Sequence, residues 1–246
     1  MKLKSKNFFP ITAKIFFRAL LISWLVVLTS ACSEKETPQT QTKEAATETF
    51  TFFDLGRNSV MSKRTRQDLG DKLGRDAIER RSILDMEINY PGFLGTYFPD
   101  LKQLNRKLNF PPGERVDHNI IKLMYRYAQK TNIPFDYVEL VFSNYTRKPV
   151  LFRIHFQKDE SNIIKTLETK YGPPTSIKWE KENGTSFYWT KQNDVLVVSL
   201  VPNQFGNPEY QIVIYFAANL NKLISTEQSE KEEREQRRTK SGKTAF

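Results

Sequence analysis

Cys32 is the only cysteine among 246 residues. A chain with one thiol can close no internal disulfide and build no multi-thiolate metal site or CxxC redox pair. Whatever folds here must therefore be held by an ordinary hydrophobic core. Hydrophobic residues make up 39% of the sequence and aromatics 13%, enough to supply one. The position of the cysteine matters as much as its solitude. It closes the run Leu28-Thr29-Ser30-Ala31-Cys32, directly after the apolar stretch Ala19–Ala31.

The residues before it carry Lys2, Lys4, Lys6, Lys14 and Arg18, with no acidic residue before Glu34. A basic start, a short apolar run and small residues at its end describe a secretory signal, placed here at 1–31. A permanent transmembrane helix is the competing reading. The apolar run at 1.5 Å per residue reaches only about 20 Å, short of the roughly 30 Å hydrocarbon layer. Extending it back to Ile15 would bury Arg18, at about 2.5–3.5 kcal/mol at a helix centre. Cleavage is the expected outcome.

Leu28-Thr29-Ser30-Ala31-Cys32 resembles the lipobox of bacterial lipoproteins. Small residues at 30 and 31 fit that pattern. Its usual leucine, three residues before the cysteine, is replaced by Thr29, with Leu28 one place earlier. The resemblance implies acylation of Cys32, cleavage before it, and membrane attachment through lipid. Several acyl chains at ~0.8 kcal/mol per buried methylene hold a protein firmly, whereas one holds it marginally. Ser33, rather than Asp, follows the cysteine. The resemblance thereby points to the periplasmic face of the outer membrane more than to the inner membrane.

Removing the five basic residues of the signal lowers the formal charge from +10 to about +5. That excess is spread along the chain and forms no basic stripe, so no nucleic-acid partner is expected. Residues 32–54 read as the lipidated cysteine and a flexible tether. Its polar part, 33–50, has an r.m.s. span near ~23 Å on the ~5–6 Å × √n estimate.

The fold class read from the pattern is α+β. Residues 57–132 are expected to be helical: 62–88 with Leu69, Leu73, Ala77 and Leu84 as a thin stripe, Tyr97–Leu108 opened by Pro99, and Glu114–Thr131 with Ile120, Leu123 and Met124 on one face. From residue 136 to 216 the period becomes two. Tyr137–Phe142, Val150–Phe156, 176–182, 185–191, 194–201 and 209–216 predict an antiparallel sheet of five to six strands. Asn183-Gly184 suggests a tight type I′ hairpin. A flanking helix from Glu160 to Lys170 is stopped by Tyr171-Gly172-Pro173-Pro174. The helix–Tyr-Gly-x-Pro–meander of 160–216 is similar to modules of small exported bacterial proteins and lipoproteins, a likeness that implies fold only. Residues 217–225 read as a closing helix that completes one globular unit of 55–225. In the tail, 226–246, Glu227–Lys231, Glu230–Arg234 and Glu233–Arg237 stand at i,i+4. That spacing reads as a solvated extension, fraying by Thr239, with no role in the fold.

No constellation of catalytic residues stands out. His118 is placed on a solvated helix face beside Asp117, and His155 on the polar face of a strand, two residues from Arg153. Neither has ligands at zinc spacing, so no metal and no cofactor are expected. There is no GxSxG, SxxK or Gly-rich phosphate loop. Asp136, Glu139, Asp159 and Glu160 are carboxylates that a glycoside hydrolase would have to converge in a cleft. Aromatics crowd YPGFLGTYFP, where Tyr90, Phe93, Tyr97 and Phe98 are candidate anchors for a protein partner, followed by Arg153 and His155. The expectation is a membrane-anchored lipoprotein of the cell envelope acting as a non-catalytic binding or scaffold module for an envelope protein. The alternatives are a lipid or glycan carrier, and an envelope hydrolase with paired carboxylates.

Overall fold

The alternation that begins at Tyr137 builds the centre of a sheet, and the helical half contributes two further strands to it. The computed structural model describes residues 49–126, 133–156, 162–179, 184–202 and 205–244. The segment expected to be a signal, Cys32, and the part of the expected tether up to residue 48 lie outside the described residues.

The chain enters the fold at Thr49 and Phe50, both buried, so residues 49–54 belong to the folded unit and not to the tether. Helix α1 (Lys63–Leu73) follows, capped by the Ser62 hydroxyl, which accepts from the Thr65 amide, and closed by Gly74 at φ 83°. Then come β1 (Ala77–Ser82), the short α2 (Phe93–Tyr97) and α3 (Pro99–Leu108). Pro99 sits in the first turn of α3, and Leu101, Leu104 and Leu108 are buried, as their spacing predicts. Strands β2 (His118–Tyr125), β3 (Tyr137–Ser143) and β4 (Pro149–Phe156) complete a first meander. Helix α4 (Ile163–Tyr171) leads to β5 (Thr175–Trp179), β6 (Gly184–Lys191), β7 (Asp194–Pro202) and β8 (Pro208–Tyr215). Helix α5 (Ala217–Thr244) closes the described chain.

All eight strands form one antiparallel sheet in the order β1-β2-β3-β4-β8-β7-β6-β5, two more strands than the upper expectation. Both additions fall in the stretch read as helical. In β2, Ile121, Leu123 and Tyr125 face one core cluster while Ile120 faces the other. A strand buried on both faces loses its polar alternation, and its apolar residues then also satisfy a helical count. β1 is an edge strand with almost every side chain exposed. Glu79, Arg80 and Arg81, with a register irregularity between Arg80 and Ser82, blunt that edge against further pairing.

The sheet consists of two successive helix–Gly–four-strand units. α1 ends at Gly74 (φ 83°) and α4 at Gly172 (φ 87°), and each cap amide bonds the carbonyl four residues back. Each helix is followed by four antiparallel strands that pair in chain order, with α2 and α3 inserted between β1 and β2 of the first set. The sets join where β4 pairs with β8, from Leu151↔Tyr215 to Phe156↔Tyr210. α1 and α4 share one face of the sheet with the entering segment around Phe50. The stretch from Leu84 through α3, together with α5, covers the other. Each fully buried Leu, Ile or Phe on these faces contributes ~1.5–3 kcal/mol.

Two details fix the second meander. Gly184 pairs with Trp179 inside the ladder and is not part of a two-residue turn; residue 183 lies outside the described residues. A Cβ on Gly184 would stand 2.0 Å from the Trp179 indole, so only glycine admits the ring there. Asp194, at the start of β7, is 0% exposed. Its carboxylate accepts from the Thr49 hydroxyl, from Arg57 Nε at 2.8 Å and from the Ala217 amide at 2.9 Å. The Arg57 guanidinium also donates to the Gln192 side chain (2.8 Å) and carbonyl (2.6 Å). Asn219 donates to the carbonyls of Arg57 and Pro149, both at 2.8 Å.

Two stability outcomes follow. Gly184→Ala displaces an indole that packs on Phe93 (5.5 Å) and Tyr90 (6.1 Å), and is expected to cost about 1–3 kcal/mol in urea unfolding. An unchanged midpoint would show that the indole swings aside freely. Asp194→Ala strands a largely buried guanidinium and a helix-terminal amide, and is expected to cost about 3–5 kcal/mol. A loss below about 1 kcal/mol would show that solvent replaces the carboxylate.

Candidate functional site

The aromatic segment singled out in the sequence divides between interior and surface. Phe93 is 0% exposed and packs edge-on to Tyr90 at 5.4 Å, and Phe98 is buried against Tyr188 at 5.0 Å. Tyr90 is half-buried beside Trp179. Tyr97 is half-exposed, stacked obliquely on Phe93 at 4.9 Å. α2 and α3 carry this cluster to the rim of the sheet, where a groove of about 630 Å³ opens between the start of α3 and the β6–β7 turn. Tyr97, Asp100, Gln103 and Lys107 line one side; Lys191, Gln192 and Asn193 line the other. The turn wall is held by the Arg57–Gln192 bonds described above.

Arg153 and His155 lie on one face of β4, two residues apart. The ladder brings Glu139 opposite Arg153, and Tyr137 and Gln211 to either side of His155. Arg153 Nη1 donates to Glu139 Oε1 at 3.0 Å, and a second nitrogen donates to the Asp85 carbonyl. Tyr137 donates its hydroxyl proton to Glu139 Oε2 at 2.9 Å. Both oxygens of Glu139 are thus engaged. Burial, the Glu139 charge and the hydrogen bond to it push the Tyr137 phenol well above its usual range. Burial first, and then the Arg153 charge, hold the His155 imidazole below its ordinary value. Its Nε2 lies 3.4 Å from the Gln211 amide nitrogen. Of the remaining carboxylates that a hydrolase would need, 159 and 160 lie outside the described residues, and Asp136 donates its amide to the His155 carbonyl at 2.8 Å.

His118 is where sequence reading and structure part most. It is 2% exposed and belongs to a strand, not to a solvated helix face. Its Nδ1 is 2.7 Å from Glu227 Oε2, and Glu227 Oε1 accepts the Asn119 amide at 2.7 Å. Glu227 sits in the segment read as a free tail. α5 continues through that segment, and Tyr145 donates to Glu230 at 2.8 Å as a second docking point. Of the three i,i+4 pairs expected, Glu233–Arg237 is an ion pair at 3.2 Å. Glu227 and Glu230 instead face the sheet. His118 Nε2 is buried with no hydrogen-bond partner, which costs ~1–3 kcal/mol when no ligand or water supplies one. Beside it a groove of about 420 Å³ runs between α3, the approach to β2, and α5. The signal for this site was the pairing of His118 with a glutamate 109 residues away, which no local spacing carries.

Among the described residues, no group of three or more His, Cys, Asp and Glu side chains is placed to hold a metal ion. No described helix is long and apolar enough to cross a membrane. Comparisons with protein-family models, with curated proteins and with solved structures give no significant match.

The His155 environment has a pH consequence. Its folded value lies below that of the unfolded chain, so below about 6.5 the unfolded state binds the extra proton and stability falls with pH. The loss begins as pH drops through the unfolded value and levels off below the folded one. Urea titrations from pH 7.5 to 5 are expected to show a shallower loss for His155→Gln than for the parent chain. Equal slopes would assign the acid sensitivity elsewhere.

Proposed function

We propose that this chain is a lipid-anchored module of the bacterial cell envelope that binds an envelope protein without catalysing a reaction. Acylated Cys32 supplies the anchor, and 33–48 supply the reach. The periplasmic face of the outer membrane is the favoured location, from Ser33 after the cysteine. The observation that carries the binding role is the groove between α3 and the β6–β7 turn. Its walls mix apolar and polar groups around half-exposed Tyr97, and one wall is fixed by the Arg57–Gln192 contacts. A pre-shaped rim with an aromatic anchor loses little entropy on binding and suits a protein partner.

In-cell crosslinking of the native chain beside Cys32→Ser and Tyr97→Ala tests this reading, with the membrane fraction of each recorded. One specific partner is expected with the native chain, weakened several-fold in Tyr97→Ala and lost with membrane attachment in Cys32→Ser. Membrane attachment with no partner would overturn the binding role. A Cys32→Ser chain that stays on the membrane to the same extent would overturn the anchor.

A further inference from the structure

The groove beside His118 is chemically unlike the one at Tyr97. Leu108, Phe110, Val116 and Ile224 give it an apolar floor and wall. Phe110 is 68% exposed, a large ring left in water at the groove's edge. Arg106, Lys107 and Lys231 stand on its rim, all exposed. The acidic group lining it, Glu227, has both oxygens occupied by His118 and the Asn119 amide. His118 itself lines the groove and keeps a buried, unpartnered Nε2.

We propose that this groove binds a fatty acid, its chain along Phe110, Val116 and Ile224 and its carboxyl group at His118 beneath the cationic rim. A volume of about 420 Å³ lies within the ~300–1,000 Å³ range of small-molecule sites. The carboxyl group satisfies Nε2 in either protonation state. In a neutral ring, with its proton on Nδ1 facing Glu227, Nε2 accepts a hydrogen bond from the O–H of the acid form. An imidazolium donates to the carboxylate form, and Glu227 balances the ring's charge. Arg106, Lys107 and Lys231 then neutralise the headgroup. A phosphodiester headgroup has no proton to give a neutral imidazole, and an alcohol brings no charge for the rim. This site stands independently of the protein partner inferred above, since it lies at the far end of α3 and shares only Lys107 with the groove at Tyr97.

The test uses the full-length chain in phosphatidylcholine nanodiscs and a photoreactive, diazirine-bearing hexadecanoic acid, with labelled peptides mapped by mass spectrometry. Label is expected on the peptides containing Phe110, Val116 and Ile224, competed by palmitate and not by hexadecanol. The exposed triple variant Arg106→Ala/Lys107→Ala/Lys231→Ala is expected to lower it about tenfold, and Phe110→Asp to abolish it, with circular dichroism unchanged in both. Label spread over the surface, no label at these peptides, or label untouched by the rim variant would overturn the proposal. Competition by hexadecyl phosphate as strong as by palmitate would overturn the assignment to a carboxyl headgroup.

Discussion

A single buried carboxylate holds the ends of this fold together. Asp194 gathers the entering chain at Thr49 and Arg57, the β6–β7 turn, and the first amide of α5. An isolated carboxylate in that position would be prohibitive, because desolvating it costs several kcal/mol. A guanidinium, a hydroxyl and a helix N-terminus offset that cost, the last through the partial positive charge of its free amides. The same contacts fix where α5 begins, and so where Glu227 and Glu230 meet the sheet. They also hold Gln192 on the wall of the groove at Tyr97.

With helices on both faces, the sheet has little open surface to offer a ligand. α1, α4 and the Phe50 segment close one side; α2, α3 and α5 close the other. The two grooves described above lie at the rims, where the covering helices end or separate. The groove at Tyr97 and the groove at His118 both lie beside α3, one towards each of its ends. In the polar cluster of Tyr137, Glu139, Arg153 and His155, Tyr137 and Arg153 both engage Glu139, while Arg153 also reaches the Asp85 carbonyl and His155 lies beside Gln211.

Several elements were legible because their signals are local. Pro99 with Leu101, Leu104 and Leu108 marked α3, Gly172 with two prolines marked the end of α4, and the alternation in Val150–Phe156 marked β4. β1 and β2 were not. Ala77–Ser82 has no apolar face, and it is a strand only because β2 offers it a ladder. Ile120 and Ile121 point to opposite faces of a doubly covered sheet, a pattern that sequence alone cannot tell from one side of a helix. Gly184 read as a turn residue because glycine is common in turns; its actual reason is an indole from the neighbouring strand.

The sequence by itself determined that one cysteine can build no internal disulfide or thiolate framework, and that the second half is an antiparallel meander behind a glycine-capped helix; the export and lipidation signal proposed for the first thirty-two residues also rests on sequence alone. These depend on residue counts, short motifs and periods of a few residues. Only the tertiary structure decided that two helix–strand units fuse into one eight-stranded sheet, that Phe93 and Phe98 turn inward while Tyr97 stays at the rim, and that His118 is buried against a glutamate of the final helix. Those outcomes depend on pairings between residues far apart in the chain, whose energies exist only once the intervening chain has folded.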